Sequence, residues 1–240
     1  DERTELAVGA LRRLLLDEQT KTGAIRDREV AASIACQGFA TDYALAETAA
    51  EMEAVEALRR QIEKGERQLP STAGDLLLIL AMYGELSASK GAAALADRLR
   101  GQSDALDLVA RRQIDEPAQE RDLAAGVPSL TPIEDGTSRA VQRQYEENPY
   151  PRWQSMLRRP ARKLDEVVSE LFPSVASASI PPAPHRVLVA GCGTGRHALA
   201  VAFRYAETDI LAVDLSRASL GFAMRRTREL GVDNIRYRQA

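Results

Sequence analysis

Two cysteines in 240 residues, Cys36 and Cys192, cannot build a disulfide framework, and nothing in their placement has metal-ligand spacing. With so little cysteine, a reducing cytoplasm is the expected compartment. Histidine is as scarce. His185 and His197 flank one short turn with no second ligand near either, so no metal centre is expected. Long apolar runs are missing: none reaches the ~20 residues that cross a bilayer. No signal-peptide pattern opens the sequence as it stands, and no membrane partner is expected. Low-complexity tracts and repeats of solenoid period are absent as well. What remains is 45% hydrophobic and 28% charged residues, a globular balance. The length suits one large domain or two ordinary ones, with a core worth burying.

The net charge of −3 hides an asymmetry. Residues 141–240 carry 15 Lys and Arg against 10 Asp and Glu, and residues 1–140 carry the other 17 against 25. An acidic first part and a mildly basic second part suggest two units with different surfaces. The basic excess is scattered arginine, with Arg225, Arg226 and Arg228 together on one expected helix. A solvated helix face is the expected reading, and there is no clear nucleic-acid signal.

The informative stretch runs from His185 to Ser216. Val187 to Ala190 is an unbroken apolar run, the pattern of a parallel strand buried on both faces. Gly191, Gly193 and Gly195 follow at once, and Arg196 to Tyr205 carries Ala and Leu at helical spacing. Glycine permits positive φ and lets the backbone approach a ligand. A helix opening at such a turn aims its free N–H groups into it, which favours an anionic group. Ile210 to Val213 reads as the next strand. Asp214 closes it 19 residues after Gly195, where an acid can accept hydrogen bonds from two ribose hydroxyls. The glycines read G-x-G-x-G, since Arg196 stands where a dinucleotide fingerprint needs its last glycine. A nicotinamide or flavin nucleotide remains an alternative. So does a turn that is only tight, with Asp214 only capping the next helix. Cys192, inside the turn, reads as a small packing residue.

The first part of the chain is helical by periodicity. Glu5 to Leu16 carries Leu6, Val8, Leu11, Leu14, Leu15 and Leu16. Asp27 to Leu45 places Val30, Ile34, Phe39 and Tyr43 on one stripe, and Glu47 to Lys64 does so with Met52, Val55, Leu58 and Ile62, stopped by Gly65. Ser71 is a good N-cap for Asp75 to Leu86, whose Leu76–Leu80 run is apolar all round and predicts the centre of this unit. Shorter helices are expected over Gly91 to Arg100 and Asp104 to Ile114. Nothing here clusters for chemistry, so residues 1–125 read as a helical support or interaction domain with a possible protein partner. Gly126 to Gly136 is rich in turn formers, which sets a linker at 126–137 ahead of a second domain over 138–240.

Ser138 to Glu147 resumes a helix that must end before Pro149. Gln144 to Trp153 then forms an arm stiffened by Pro149 and Pro151, with Tyr145, Tyr150 and the only tryptophan as packing groups. Lys163 to Phe172 reads as a helix with Leu164, Val167, Val168 and Leu171 inward. Ser174 to Pro184 reads as a Ser/Ala/Pro connector. After Asp214, Ser216 is a plausible N-cap. Leu220, Ala223, Met224, Thr227 and Leu230 form the buried stripe of a helix ended by Gly231, and Asn234 to Arg238 begins a third strand.

The glycine triplet after a strand, with the acid of Ala-Val-Asp-Leu-Ser closing the next, resembles the first two motifs of class I S-adenosylmethionine-dependent methyltransferases. With the Tyr-Glu-Glu-Asn-Pro-Tyr-Pro-Arg-Trp arm ahead of it, the chain resembles bacterial methyltransferases that often carry upstream tetratricopeptide repeats. The stretch from Cys36 to Tyr43 looks like the region between those repeats and the catalytic domain. The resemblance implies an α/β fold, a helical domain before the first three strands of a Rossmann-like sheet. It implies S-adenosylmethionine as cofactor and an unidentified methyl acceptor as partner. Gly191, Cys192, Gly193 and Gly195 would hold the methionine and ribose portions, and Asp214 with Leu215 the ribose. Arg143 and Tyr145 are possible contacts from the arm. Many family members carry an acid two residues before the first glycine. Val189 stands there, so the methionine ammonium needs another partner. The family's sheet has seven strands, with the fourth beside the first. Three strands here make the chain, as an expectation, a fragment inactive alone, with β-edge Val187–Ala190 unpaired. The alternative from another class is a non-catalytic scaffold with the same fold.

Overall fold

A computed structural model describes residues 2–64, 72–132, 135–147, 149–174 and 181–240. Gly65, Ser71, Asn148, residues 133–134 of the expected linker and residues 175–180 of the connector lie outside the described residues. The chain divides into two units, Asp1–Pro117 and Ala118–Ala240. The fold class is the expected one, α/β with a helical N-terminal region and three parallel strands after it.

The first unit holds α1 (Glu2–Thr22), α2 (Arg28–Ala40), α3 (Ala49–Lys64), α4 (Ala73–Tyr83), a 3₁₀ turn (Leu86–Ala88), α5 (Lys90–Arg98), α6 (Asp104–Ala110) and a π-helical turn (Arg111–Asp115). Every residue of α4 is buried, as its all-round apolar run predicts. Its one acid, Asp75, is answered by the Arg28 guanidinium at 2.6 Å. Thr72 occupies the N-cap of α4. Asp27, Ser89 and Ser103 cap α2, α5 and α6 through their side chains. The π turn has no counterpart in the sequence pattern. It aims the fully buried Gln113 amide at the Ala35 and Ala81 carbonyls (3.2 and 3.0 Å), while its oxygen accepts from the Leu86 N–H at 3.1 Å. One side chain thereby ties α2, α4 and the 3₁₀ turn.

The faces of two helices differ from expectation. Leu15 and Leu16 are buried on α1, but Leu6, Leu11 and Leu14 are exposed, and so is Met52 on α3. On α1 the inward face formed by Leu15 and Leu16 also takes Arg12, 1% exposed, and Leu6, Leu11 and Leu14 lie outside it. The Arg12 guanidinium donates to the Ala46 carbonyl at 2.8 Å and to Glu51 at 3.2 Å, and lies 4.4 Å over the Tyr83 ring. Glu51 also accepts the Tyr83 hydroxyl at 3.0 Å. With Thr48 it closes a capping box at the start of α3: the Thr48 N–H donates to the carboxylate at 2.9 Å, and the Glu51 N–H to the hydroxyl at 3.2 Å.

Burial pushes the Glu51 carboxyl up. The hydrogen bonds from Thr48 and Tyr83 and the charge of Arg12 outweigh it, so the pKa falls below the ordinary 4.5. A carboxylate with a depressed folded-state pKa contributes stability above its unfolded value and loses it as pH falls through the folded one. Glu51→Gln, which leaves Arg12 buried without its counter-charge, is expected to cost about 3 kcal/mol at pH 7. In urea titrations repeated down the pH scale, the gap between wild type and variant should close below pH 4.5.

The second unit begins within α7 (Glu116–Ala125) and continues through α8 (Gly136–Glu147) and α9 (Leu164–Leu171) to the sheet. Strands β1 (His185–Ala190), β2 (Thr208–Asp214) and β3 (Ile235–Gln239) are parallel, in the order β1-β2-β3. The helices α10 (Arg196–Arg204) and α11 (Arg217–Glu229) make the two crossovers. Two right-handed crossovers that step the same way lie on one side of a sheet. Val189, Ile210, Ala212, Ile235 and Tyr237 therefore share a core with Leu199, Leu220 and Phe222. The unbroken Val187–Ala190 run suggests burial on both faces, but the structure buries one. Leu188, on the other face, is 63% exposed, and Ala190 is exposed as well. Among the described residues β1 pairs with β2 alone.

Four segments differ from what the sequence pattern predicts. α7 is a helix where the pattern predicts none. It packs so closely on α11 that a Cβ on Gly221 would run into the Glu120 carbonyl oxygen. Arg225 and Arg226 are buried, 7% and 4% exposed, rather than solvated. Glu120 accepts from Arg225 at 2.8 Å and from Arg152 at 3.0 Å. The stretch after α7 is also engaged: Val127 is buried, the Gln239 N–H donates to the Pro128 carbonyl at 3.0 Å, and the Leu130 N–H to the Gln239 carbonyl at 2.8 Å. It extends the sheet beyond β3 by one parallel bridge. In α9, Val167 turns inward as expected, but Leu171 is exposed.

Candidate cofactor site

The parallel ladder of β1 and β2 runs one bond past the strand, the Cys192 N–H donating to the Val213 carbonyl at 3.0 Å. The chain then reverses through three left-handed glycines, Gly191, Gly193 and Gly195, at φ of +64°, +51° and +79°. Any other L-residue in that region costs about 1–2 kcal/mol. The Gly195 N–H closes the turn on the Cys192 carbonyl at 2.9 Å, and Gly195 serves as N-cap of α10 without a capping side chain.

The three glycines have different surroundings. A Cβ on Gly195 would lie 2.6 Å from the Ala223 Cβ and 3.1 Å from the Tyr237 hydroxyl, so this glycine lets the turn pack onto α11 and β3. A Cβ on Gly191 or Gly193 would meet nothing within 4 Å. That open space lies along the C-terminal edge of the parallel strands, the place where open α/β sheets bind ligands.

Asp214 joins the turn to the next helix. One carboxylate oxygen accepts from the Gly193 N–H at 2.7 Å, the other from the Ser216 N–H at 3.0 Å. Each oxygen keeps a further lone pair. Ser216, fully buried, caps α11 by accepting from the Ser219 N–H at 3.0 Å, and its hydroxyl donates to the Tyr145 carbonyl at 3.0 Å. Glu146 supplies the other capping acceptors, taking the Arg217 and Ala218 N–H groups at 2.6 and 3.0 Å. The end of α8 is therefore fastened at the start of α11 through a backbone carbonyl and a carboxylate. Tyr145 is 44% exposed, and Arg143 is exposed. Leu215 presents its carbonyl to the Gln239 amide at 3.0 Å. Val189 is buried in the core.

Residues 187–240 match the family model of a methyltransferase domain. That segment spans β1 to β3 and carries the whole turn and Asp214. No curated protein is similar to the chain. Among solved structures, the chain is similar to a coclaurine N-methyltransferase bound to N-methylheliamine and SAH, at 19% identity and a TM-score of 0.30. The match covers 78% of this chain and 50% of that one, so the chain spans about half the length of that structure.

Within that segment, the surroundings of Cys192 favour the thiol over the thiolate. Burial, and behind it the negative charge of Asp214, push its thiol up to about 12. Sequence reasoning overlooked Thr194, Glu146 and the double role of Ser216. The arm's Glu-Glu pair was visible, but nothing local says which helix a carboxylate caps when the partner is 71 residues away.

The glycine environments predict separable effects. Gly195→Ala should destabilise the protein by about 3 kcal/mol, from a left-handed φ and a clash with α11. Gly193→Ala should cost about 1 kcal/mol, from φ alone. Chemical denaturation of both variants checks the order.

Proposed function

We propose that the protein is an S-adenosylmethionine-dependent methyltransferase whose cofactor lies across the glycine turn and Asp214. The observation that carries this reading is the pairing of an open glycine cradle with an acid held in register beside it by the Gly193 and Ser216 amides. A Cβ at Gly191 or Gly193 would fill the space that the methionine and ribose portions need. Bound there, S-adenosylmethionine supplies a methyl group on a sulfonium with a good leaving group. The chain's own part is placement. The first-turn N–H groups of α10 face the negative end of the ligand, Asp214 takes ribose hydroxyls on its remaining lone pairs, and Leu215 lines the same edge. Cys192 packs beneath the turn and keeps its proton. Tyr145 and Arg143, on the segment fastened to Ser216, stand as cleft contacts. The helical unit is a support or interaction domain.

A scaffold without catalysis is the second reading. The apolar, buried Val189 favours it, because that position offers nothing to a methionine ammonium.

Calorimetric titration of S-adenosylhomocysteine into the natural protein separates the two. Micromolar binding is expected, weakened at least tenfold by Asp214→Ala, as fits the loss of hydrogen bonds to a charged group. Absence of binding to the wild type would sink the methyltransferase reading in favour of the scaffold.

A further inference from the structure

The glycine turn is also gripped from outside. Trp153 donates its indole N–H to the Thr194 carbonyl at 3.0 Å, and the Thr194 hydroxyl donates to the Pro151 carbonyl at 2.9 Å. The two bonds run in opposite directions between the same two short stretches. Both residues are buried, at 7% and 3% exposed. The indole is itself fixed. Phe222 meets it edge-on at 5.8 Å and 73°, and the Arg226 guanidinium lies 4.7 Å from its ring centroid while donating to the Gln154 carbonyl at 2.8 Å. Arg152, next in the arm, is held by Glu120.

Thr194 stands between Gly193 and Gly195, so no neighbouring Cβ restrains the rotation of its peptide planes. The turn's own bonds fix the Gly193 N–H on Asp214 and the Gly195 N–H on the Cys192 carbonyl. The Thr194 carbonyl and side chain are fixed only by the arm, as far as the described hydrogen bonds go. We infer that Trp153 and Thr194 are positioning residues. Their clasp sets the conformation of the cofactor turn before ligand arrives, so Trp153 governs cofactor affinity without touching the cofactor. This rests on the S-adenosylmethionine reading above. Its physical basis is preorganisation: a turn already in its bound shape loses less freedom on binding.

The test uses the natural protein, with S-adenosylhomocysteine as probe and calorimetry as readout. Trp153→Phe keeps the ring and removes the N–H. Thr194→Val keeps the shape and removes the hydroxyl, and Thr194→Ser keeps the hydroxyl. Trp153→Phe and Thr194→Val should each weaken binding about five- to tenfold, as losing one hydrogen bond does. Thr194→Ser should bind within about twofold of wild type. The double variant Trp153→Phe/Thr194→Val should fall short of the product of the two losses, because both bonds restrain one peptide. Melting temperatures taken alongside separate lost folding from lost positioning. If Trp153→Phe fails to fold, the Val and Ser variants at position 194, differing in the hydroxyl, still decide. Wild-type affinity in both Trp153→Phe and Thr194→Val would overturn the clasp while leaving the cofactor reading intact. A wild type that does not bind would overturn the cofactor reading first.

Discussion

One carboxylate governs the geometry of the second unit's candidate edge. Asp214 ends β2 and could have faced water alone. Instead it accepts one N–H from the turn after β1 and one from the start of α11. Two loops that leave different strands are thereby referred to a single rigid group. Hydrogen bonds to a charged acceptor are roughly twice as strong as neutral ones. Everything else at that edge depends on the alignment: the open glycine cradle, the buried Ser216 cap and the close contact of Gly195 with Ala223.

A second acid does comparable work behind the site. Glu120 sits where α7 packs against Gly221 of α11, and receives Arg225 from the helix and Arg152 from the arm. Its charge lets two arginines leave solvent, and Arg226 then covers the indole of Trp153. The chain thus stations its arm with ion pairs of low exposure, where attraction is little screened. In the first unit Glu51 plays the same part for Arg12.

The sequence announced the strands, the turn and most helices, because their signals are local: apolar runs, glycine spacing, capping residues. α4, β1, β2 and α11 were legible for that reason. What stayed hidden depends on distant partners. Leu6, Leu11 and Leu14 satisfy helical periodicity as well as Leu15 and Leu16 do, and the choice of face depends on the distant partners of the buried Arg12, Ala46 and Glu51 among them. Arg225 reads as charged surface until Glu120, 105 residues before it, is brought against it, and Arg226 until the Gln154 carbonyl and the Trp153 ring are. Turn-forming composition gave no hint that Val127 to Leu130 would attach to β3. At the candidate site, Gly191, Gly193 and Asp214 could be read from spacing alone. The link from Trp153 to Thr194 spans 41 residues and has no motif.

The two helix starts on that edge are not equivalent. The N-terminus of α11 is filled by the protein itself, with Glu146 and Ser216 accepting from residues 217, 218 and 219. The N-terminus of α10 opens from Gly195, which has no side chain to offer. The positive end of one helix dipole is neutralised internally, while the other has no capping side chain. Hydroxyl acceptors lie on the Asp214 side. A ligand with a carboxylate at one end and a sugar at the other, as the proposed function requires, would meet an edge that has a head and a tail, and the fold would dictate which way round it lies.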